Sequence, residues 1–271
     1  MATDDATARF GARVGMPVWQ RLGLGVLADY IPAGLVDQVL ADTGRVQQRI
    51  RRLPARAVVW FILALTLFHG QGYCSVWREL AHDGDDEGVV TPSASGLSQA
   101  RRRLGVTPLA ALFARLRGAQ APPGAPGSFC SGLRLVSCDA TTLDVPDSPA
   151  NAEAFIASRN TRGRGAFPQV RLLTLIECGT HAVIDAAFGA VSEQALARQV
   201  LGSLRAGTLL LGDRNFPSYR LWSQVAATGT HLLWRVKAST LLPRVATFGD
   251  GSWLAVLPRP GTGREGAHSC Q

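Results

Sequence analysis

Two aspartates combine the residue type and position that could do chemistry. Asp139 follows the apolar run Leu133 to Cys138 (LRLVSC) in the string S-C-D-A-T-T, and Asp213 follows Thr208 to Gly212 (TLLLG) in L-G-D-R-N-F. Each is the first acid beyond a run of strand length, and α/β sheets present ligands at the C-terminal ends of their strands. Carboxylates from neighbouring strands can share divalent cations. Mg²⁺ suits such a pair because it takes hard oxygen ligands, keeps much of its water, and needs only one or two carboxylates plus phosphate. Two cations ~3.5–4 Å apart can hold the attacking and leaving oxygens of an in-line displacement at phosphorus. The protein then mostly positions the groups and offsets developing charge. An aspartate after a strand serves equally well as a turn or helix cap, and spacing alone leaves both readings open.

The elements that must position these acids alternate between strand and helix. Besides the two runs already named, Val170 to Glu177, His181 to Phe188 and His231 to Val236 are short apolar segments of strand length. Between them, Ser192 to Leu204 opens on a helix-cap serine and keeps helical apolar spacing. Pro217 to Ala227 reads as a second helix. The order predicts an α/β domain with a mixed sheet over residues 133–271. A hairpin around Asp250-Gly251 precedes a small-residue tail that does not close the domain.

Upstream of residue 120 the texture is all-helical. Leu35, Val36, Val39 and Leu40 form one stripe, and Leu104, Leu109, Leu112, Phe113 and Leu116 another. Pro54 suits the first turn of an apolar helix that Gly70 and Gly72 would end. Trp19, Trp60 and Trp77 sit at core positions. Residues 121–132 (APPGAPGSFCSG) have the composition of a linker between a helical domain, 1–120, and the α/β domain.

With 271 residues and 46% hydrophobic composition the chain can bury a substantial core, which excludes wholesale disorder. The formal net charge of +8 favours a polyanionic partner, either nucleic acid or an anionic membrane surface. Nearly all of the basic surplus is arginine, with Lys237 the lone lysine, and a GC-rich coding sequence produces the same bias. Five cysteines, Cys74, Cys130, Cys138, Cys178 and Cys270, are odd in number and show no C-x-x-C spacing. They argue against a zinc site or disulfide scaffold and read as reduced, mostly buried thiols. The N-terminus lacks an apolar signal core, and Val58 to Phe68 falls short of the ~20 residues a spanning helix needs. The expectation is a soluble cytoplasmic protein with no membrane partner.

The blocks D-A-T-T and G-D-R-N-F, with the strand H-A-V-I-D-A-A-F and a helix beginning S-E-Q between them, resemble the catalytic core of the insertion sequence 4 family of bacterial transposases. The similarity covers nearly the whole chain, since residues 15–118 resemble that family's N-terminal helical domain. The resemblance implies a ribonuclease H-like fold and an Asp-Asp-Glu triad using Mg²⁺, with Mn²⁺ as an alternative ion. It implies nicking of DNA and joining of the freed 3′-hydroxyl to target DNA. Asp139 and Asp213 become the first two triad members. Arg214 braces the second carboxylate, touches phosphate or is simply a surface arginine, and Thr141 lies around the metal or simply continues a strand. Double-stranded DNA is the implied partner, with a homodimer as a further arrangement. Asp144, Asp147 and Asp185 are expected to be solvated or structural.

The third carboxylate departs from the family pattern. Family members carry it downstream in a Tyr-Arg-Glu…Lys signature, but the 58 residues after Asp213 contain none. Glu265 lies in a Gly-rich segment without helical pattern, and Glu177 and Glu193 come too early in the order. The chain reads as a catalytic domain incomplete at its C-terminus, with A-H-S-C-Q resembling the product of a frameshift or stop. Strand transfer is then expected to be impaired, and the alternative is a DNA-binding remnant or regulator without catalysis.

Basic clusters supply candidate DNA contacts. Arg101, Arg102 and Arg103 lie on a short helix followed by Gly105 and another helix from Pro108, a helix-turn-helix pattern. Arg159, Arg162 and Arg164 fall in a Gly/Arg loop that can follow the phosphate backbone. Arg49, Arg51, Arg52 and Arg56 form a further cluster that a solvated face explains equally well.

Overall fold

The computed structural model describes residues 31–47, 53–81, 92–155, 157–160 and 163–259. Trp19, Arg49, Arg51, Arg52, Arg162, Glu265 and Cys270 lie outside them. The chain divides into two compact units, Met1–Leu116 and Arg117–Gln271.

In the first unit the described helices are α1 (Ala33–Asp42), α2 (Ala55–Leu67), α3 (Tyr73–Ala81), α4 (Ala94–Leu104) and α5 (Thr107–Leu116). Helix α2 is apolar almost all round, which suits a central rod rather than a surface helix. It packs against α1, α3 and α4. Trp60, Phe61, Val58 and Ala64 on α2 are buried with Val36 and Val39 of α1, Val76 and Trp77 of α3, and Leu97 of α4. Each large side chain so placed contributes about 1.5–3 kcal/mol relative to exposure. The apolar run at Val58 to Phe68 is therefore core, and among the described residues no helix is long and apolar enough to cross a membrane. Pro54 is the N-cap of α2 rather than a first-turn residue, and Gly70 beyond its end has φ +86°.

The second unit is a mixed sheet, as the element order predicts. Its strands are β1 (Phe129–Cys130), β2 (Leu133–Asp144), β3 (Ala157–Asn160), β4 (Gly163–Glu177), β5 (Val183–Gly189), β6 (Thr208–Gly212) and β7 (His231–Trp234). A separate hairpin, β8 (Arg244–Thr247) with β9 (Trp253–Ala255), turns at Asp250-Gly251 as expected, Gly251 taking φ +84°. Strands β3 and β5 pair with β4, β4 with β2, β2 with β6, and β6 with β7. The β2–β6 and β6–β7 pairs are parallel, whereas β4 runs antiparallel to β2, β3 and β5. Helix α6 (Pro149–Ala154) follows β2, α7 (Glu193–Gln199) and a 3-10 turn (Leu201–Ser203) follow β5, and α8 (Tyr219–Ala226) follows β6. Ser192 caps α7 by accepting the Ala195 N–H, and Ser218 caps α8 through the Leu221 N–H.

One face of this sheet is covered. Val136, Cys138, Leu173, Leu175, Ile184 and Leu210 pack beneath Leu196, Ala197 and Val200 of α7 and its end, Leu204, and Leu221 and Val225 of α8. Strand alternation sends Leu135, Ser137 and Asp139, with Leu172, Thr174, Leu209 and Leu211, to the other face. There Phe188, opposite Leu172, and Leu233, opposite Leu211, are 71% and 61% exposed. Among the described residues, the helices that join this core all lie on the first face.

Residues 121–132 are not a free linker. The Ala121 N–H donates to Glu177 at 2.8 Å, Ser128 is fully buried, and Phe129–Cys130 forms β1 on the edge of β2. A buried backbone must find partners, and a glutamate at the end of β4 supplies one. The segment therefore belongs to the second unit, which begins at Arg117.

Candidate metal site and nucleic-acid surfaces

The parallel pairing of β2 with β6 decides the geometry around the two aspartates. Cys138 stands opposite Gly212, the last pair of that ladder, so Asp139 and Asp213 are the next residues on adjacent strands. Neighbouring strands lie about 4.8 Å apart. Cys138 points into the core, so Asp139 points to the uncovered face, and both aspartates are exposed. Asp139 Oδ1 accepts the Ala140 N–H at 2.8 Å. Asp213 Oδ1 accepts the Asn215 N–H at 2.7 Å, an Asx turn that ends β6.

Strand β2 does not stop at Cys138, as the apolar run implied, but continues to Asp144. Beyond Cys138 it leaves β6 while its pairing with β4 runs on to Asp144 opposite Gln169. Asp139 thus sits where β2 loses β6 as a neighbour and runs on beside β4, which keeps β5 on its other side as far as Arg171. Thr141 and Thr142 continue the strand, with Thr141 two residues on and on the same face as Asp139. Gly212 is dictated by Trp234 on β7, since a Cβ there would lie 2.8 Å from the indole ring. Arg214 is exposed in the turn after Asp213, and Phe216 of the same block is buried in the core.

Local electrostatics are acidic. Burial, and then the carboxylates of Asp139 and Glu193, push the Cys138 thiol up to about 12, so it is neither a nucleophile nor a ready metal ligand at neutral pH. Of the described cysteines, all free, only Cys138 is buried and Cys130 is exposed, which corrects the expectation of mostly buried thiols. Among the described residues no set of three or more His, Cys, Asp or Glu side chains is grouped to hold a metal. Two exposed carboxylates on adjacent strands still fit Mg²⁺, which takes its remaining oxygens from water and phosphate.

The other acids are placed differently. Asp144 accepts from the Gln169 amide at 2.7 Å. Asp185, opposite Leu175 and so on the covered face, pairs with Arg117 at 2.7 Å and accepts the Ser203 hydroxyl at 2.5 Å. Glu177 is fully buried and bound by Arg134, the Thr180 hydroxyl at 2.5 Å, and the N–H groups of Ala121 and Gln120. Burial raises its pKa, but the bonds from Thr180, Ala121 and Arg134 outweigh this and hold the carboxyl below the usual range. Sequence reasoning gave Glu177 no role beyond excluding it from the triad. Its only local signal was an acid ending an apolar strand, the same signal that marks Asp139.

The candidate DNA contacts fall in both units. Arg101, Arg102 and Arg103 are exposed on the last turn of α4, where cations complement the helix dipole. Gly105, at φ +74°, turns the chain from α4 into α5. Arg101 also stacks over the Tyr73 ring at 5.5 Å. Arg159 and Arg164 face each other across β3 and β4, so the expected Gly/Arg loop is a hairpin whose second strand starts at Gly163 rather than Val170. Arg56 of the remaining cluster pairs with Asp37.

Residues 21–114 match the family model described as the insertion element 4 transposase N-terminal domain, and residues 131–251 match the transposase DDE domain. The chain is 30% identical over 237 residues to transposase InsG for insertion sequence element IS4 of Escherichia coli. That alignment takes in 85% of this chain and 53% of InsG, so the chain spans about half the length of that relative. It is 26% identical over 239 residues to InsZ of the same organism, covering 86% of this chain and 78% of InsZ. A solved piggyBac transposase synaptic complex with hairpin DNA aligns with 82% of this chain and 51% of its own at 12% identity and a TM-score of 0.36, too low a likeness to bear on the fold. The two domain models and the InsG match together make this chain a member of the insertion sequence 4 family of Asp-Asp-Glu transposases.

Proposed function

We propose that Asp139 and Asp213 are two carboxylate ligands of a divalent cation, Mg²⁺ or Mn²⁺, in a DNA-strand-cleaving and strand-transferring site. One observation carries the reading: the two acids occupy consecutive positions beyond the last Cys138–Gly212 pair of parallel strands, exposed at the rim of an uncovered sheet face. The second unit is taken as a ribonuclease H-like domain, a reading supported by its mixed sheet with one antiparallel central strand and by helices gathered on one face. A bound cation would supply charge neutralisation and activation of an attacking oxygen at phosphorus. The aspartates would set the ion's position against the scissile phosphate, Arg214 would contact a phosphate oxygen beside it, and Thr141 would lie beyond Asp139 on the same face. The helical unit would bind duplex DNA through Arg101, Arg102 and Arg103, with Arg159, Arg162 and Arg164 following the backbone farther along it, since Arg164 and its partner Arg159 stand toward the opposite end of β4 from Thr174, the partner of Asp139.

The metal assignment is tested by titrating Mn²⁺ into the purified chain. One binding event is expected, lost in Asp139→Asn and in Asp213→Asn; binding unchanged in both variants refutes it. The DNA assignment is tested by the salt dependence of duplex affinity. Replacing Arg101, Arg102 and Arg103 by alanine is expected to flatten the log–log slope by roughly 0.9 per lost phosphate contact. An unchanged slope removes these residues from the interface.

A second reading, DNA binding without catalysis, is favoured by one specific observation: no third acidic ligand joins the two aspartates among the described residues. Strand nicking by the isolated chain in Mg²⁺ or Mn²⁺ decides between the two.

A further inference from the structure

Asp213 does not stand on rigid strand. It opens the turn between β6 and α8, and the direction of its carboxylate depends on what fixes that turn. Three attachments do so. The first is the Asx bond from Asn215 N–H to Asp213 Oδ1, backed by the Phe216 N–H donating to the Asp213 carbonyl at 3.2 Å. The second is Phe216, buried in the core beneath α7 and α8. The third comes from outside the turn: Gln194, the second residue of α7.

The Gln194 amide spans the turn. Its nitrogen lies 3.4 Å from both the Asn215 and the Phe216 carbonyl oxygens, a three-centre contact. Its oxygen accepts the Ser218 hydroxyl at 3.1 Å, and Ser218 Oγ in turn accepts the Leu221 N–H that starts α8. Carbonyl oxygens only accept, so the nitrogen must face them and the amide has a single orientation. Gln194 is itself held because Ser192 caps α7 two residues earlier. One side chain on α7 thus fixes both the peptides that follow Asp213 and the cap of the next helix.

We propose that Gln194 is a positioning residue for Asp213, holding the β6–α8 turn so that this carboxylate meets the same cation as Asp139. The proposal rests on the metal reading given above and deepens it. A shared ion requires its ligands to be held within about 0.5 Å. Asp139 obtains that precision from its pairing with Thr174 in β4, whereas Asp213 lies beyond the last ladder pair of β6. Gln194 supplies what the sheet does not.

The test uses the full chain and Mn²⁺. Gln194→Met keeps the length of the side chain and removes its hydrogen bonds, and Gln194→Glu keeps an acceptor for Ser218 but cannot donate to the two carbonyls. Both are expected to weaken Mn²⁺ binding on the order of tenfold, the usual cost of removing a group that orients a ligand. Amide exchange at Asn215 and Phe216 should quicken in both. Val225→Ala, which thins the same core without touching the turn, should lower the melting temperature and leave Mn²⁺ affinity unchanged. If Asp213→Asn weakens binding while both Gln194 variants bind as the parent does, the positioning role is overturned and the metal site stands. Equal weakening by Val225→Ala would assign the effect to stability and also overturn it. If Asp213→Asn binds Mn²⁺ normally, the metal reading falls and the proposal with it.

Discussion

The two faces of the sheet treat carboxylates in opposite ways. On the covered face, Glu177 and Asp185 are buried and each meets an arginine and a hydroxyl, Arg134 with Thr180 and Arg117 with Ser203. On the uncovered face, Asp139 and Asp213 are exposed at adjacent strand ends and their described bonds are to backbone N–H groups of the following residues. A buried carboxylate must be paired, because desolvation without a partner costs several kcal/mol. An exposed one pays no such cost and keeps oxygens free to take a ligand. The covered-face acids therefore serve the fold, tying residues 117–121 to the sheet, and the two aspartates of the other face have no such structural partner among the described bonds.

This contrast breaks first at Glu177. Glu177→Ala strands Arg134 and the N–H groups of Gln120 and Ala121, and is expected to destabilise the second unit by about 3–5 kcal/mol, measured by denaturant unfolding. A loss of less than about 1 kcal/mol would put Glu177 in the class of weak surface pairs. The same carboxyl gives a pH signature. Its folded pKa is depressed below the unfolded value, so its contribution is present above the unfolded carboxyl range and is lost as pH falls through the folded value. Glu177→Gln should flatten that acid limb of the stability profile, and an unchanged limb would mean another group carries it.

A smaller effect is expected next to the same pin. A Cβ on Gly179 would lie 2.0 Å from Ser128 Oγ and 2.6 Å from Ser128 N, the latter a backbone atom that cannot swing aside. Gly179→Ala should cost about 1–3 kcal/mol by overpacking, read as a lowered unfolding midpoint. A neutral outcome would mean that the 121–132 segment is not seated against this turn.

The smallest effect belongs to the other face. Asp139→Asn and Asp213→Asn should each change stability by no more than about 0.5 kcal/mol, as exposed substitutions do. A large loss in either would make that aspartate a structural acid and erase the contrast between the faces.

Much of the architecture follows from local pattern. The helical spacing of Val36, Val39 and Leu40, the cap serines Ser192 and Ser218, and the apolar strand runs each encode their element within a few residues. Where the reading fell short, the missing information was long-range. The apolar run ends at Cys138, but β2 continues to Asp144 because β4 offers a partner through Gln169, and Arg159 pairs with Arg164 for the same reason. Residues 121–132 have linker composition, yet Glu177 gives their backbone a buried acceptor.

The sequence by itself determined the identity of the two candidate acids, since an aspartate following an apolar strand run, with its flanking residues, is a local signal. It also determined the alternation that sends Asp139 away from the core. Only the tertiary structure decided that Asp139 and Asp213 are neighbours, because that depends on the parallel register of β2 with β6 across a crossover through three other strands and two helices. It also decided that Glu177 is a pin, although Glu177 carries the same local signal as Asp139. Its partner Arg134 lies 43 residues away, and no local preference records which distant cation a buried carboxylate will meet.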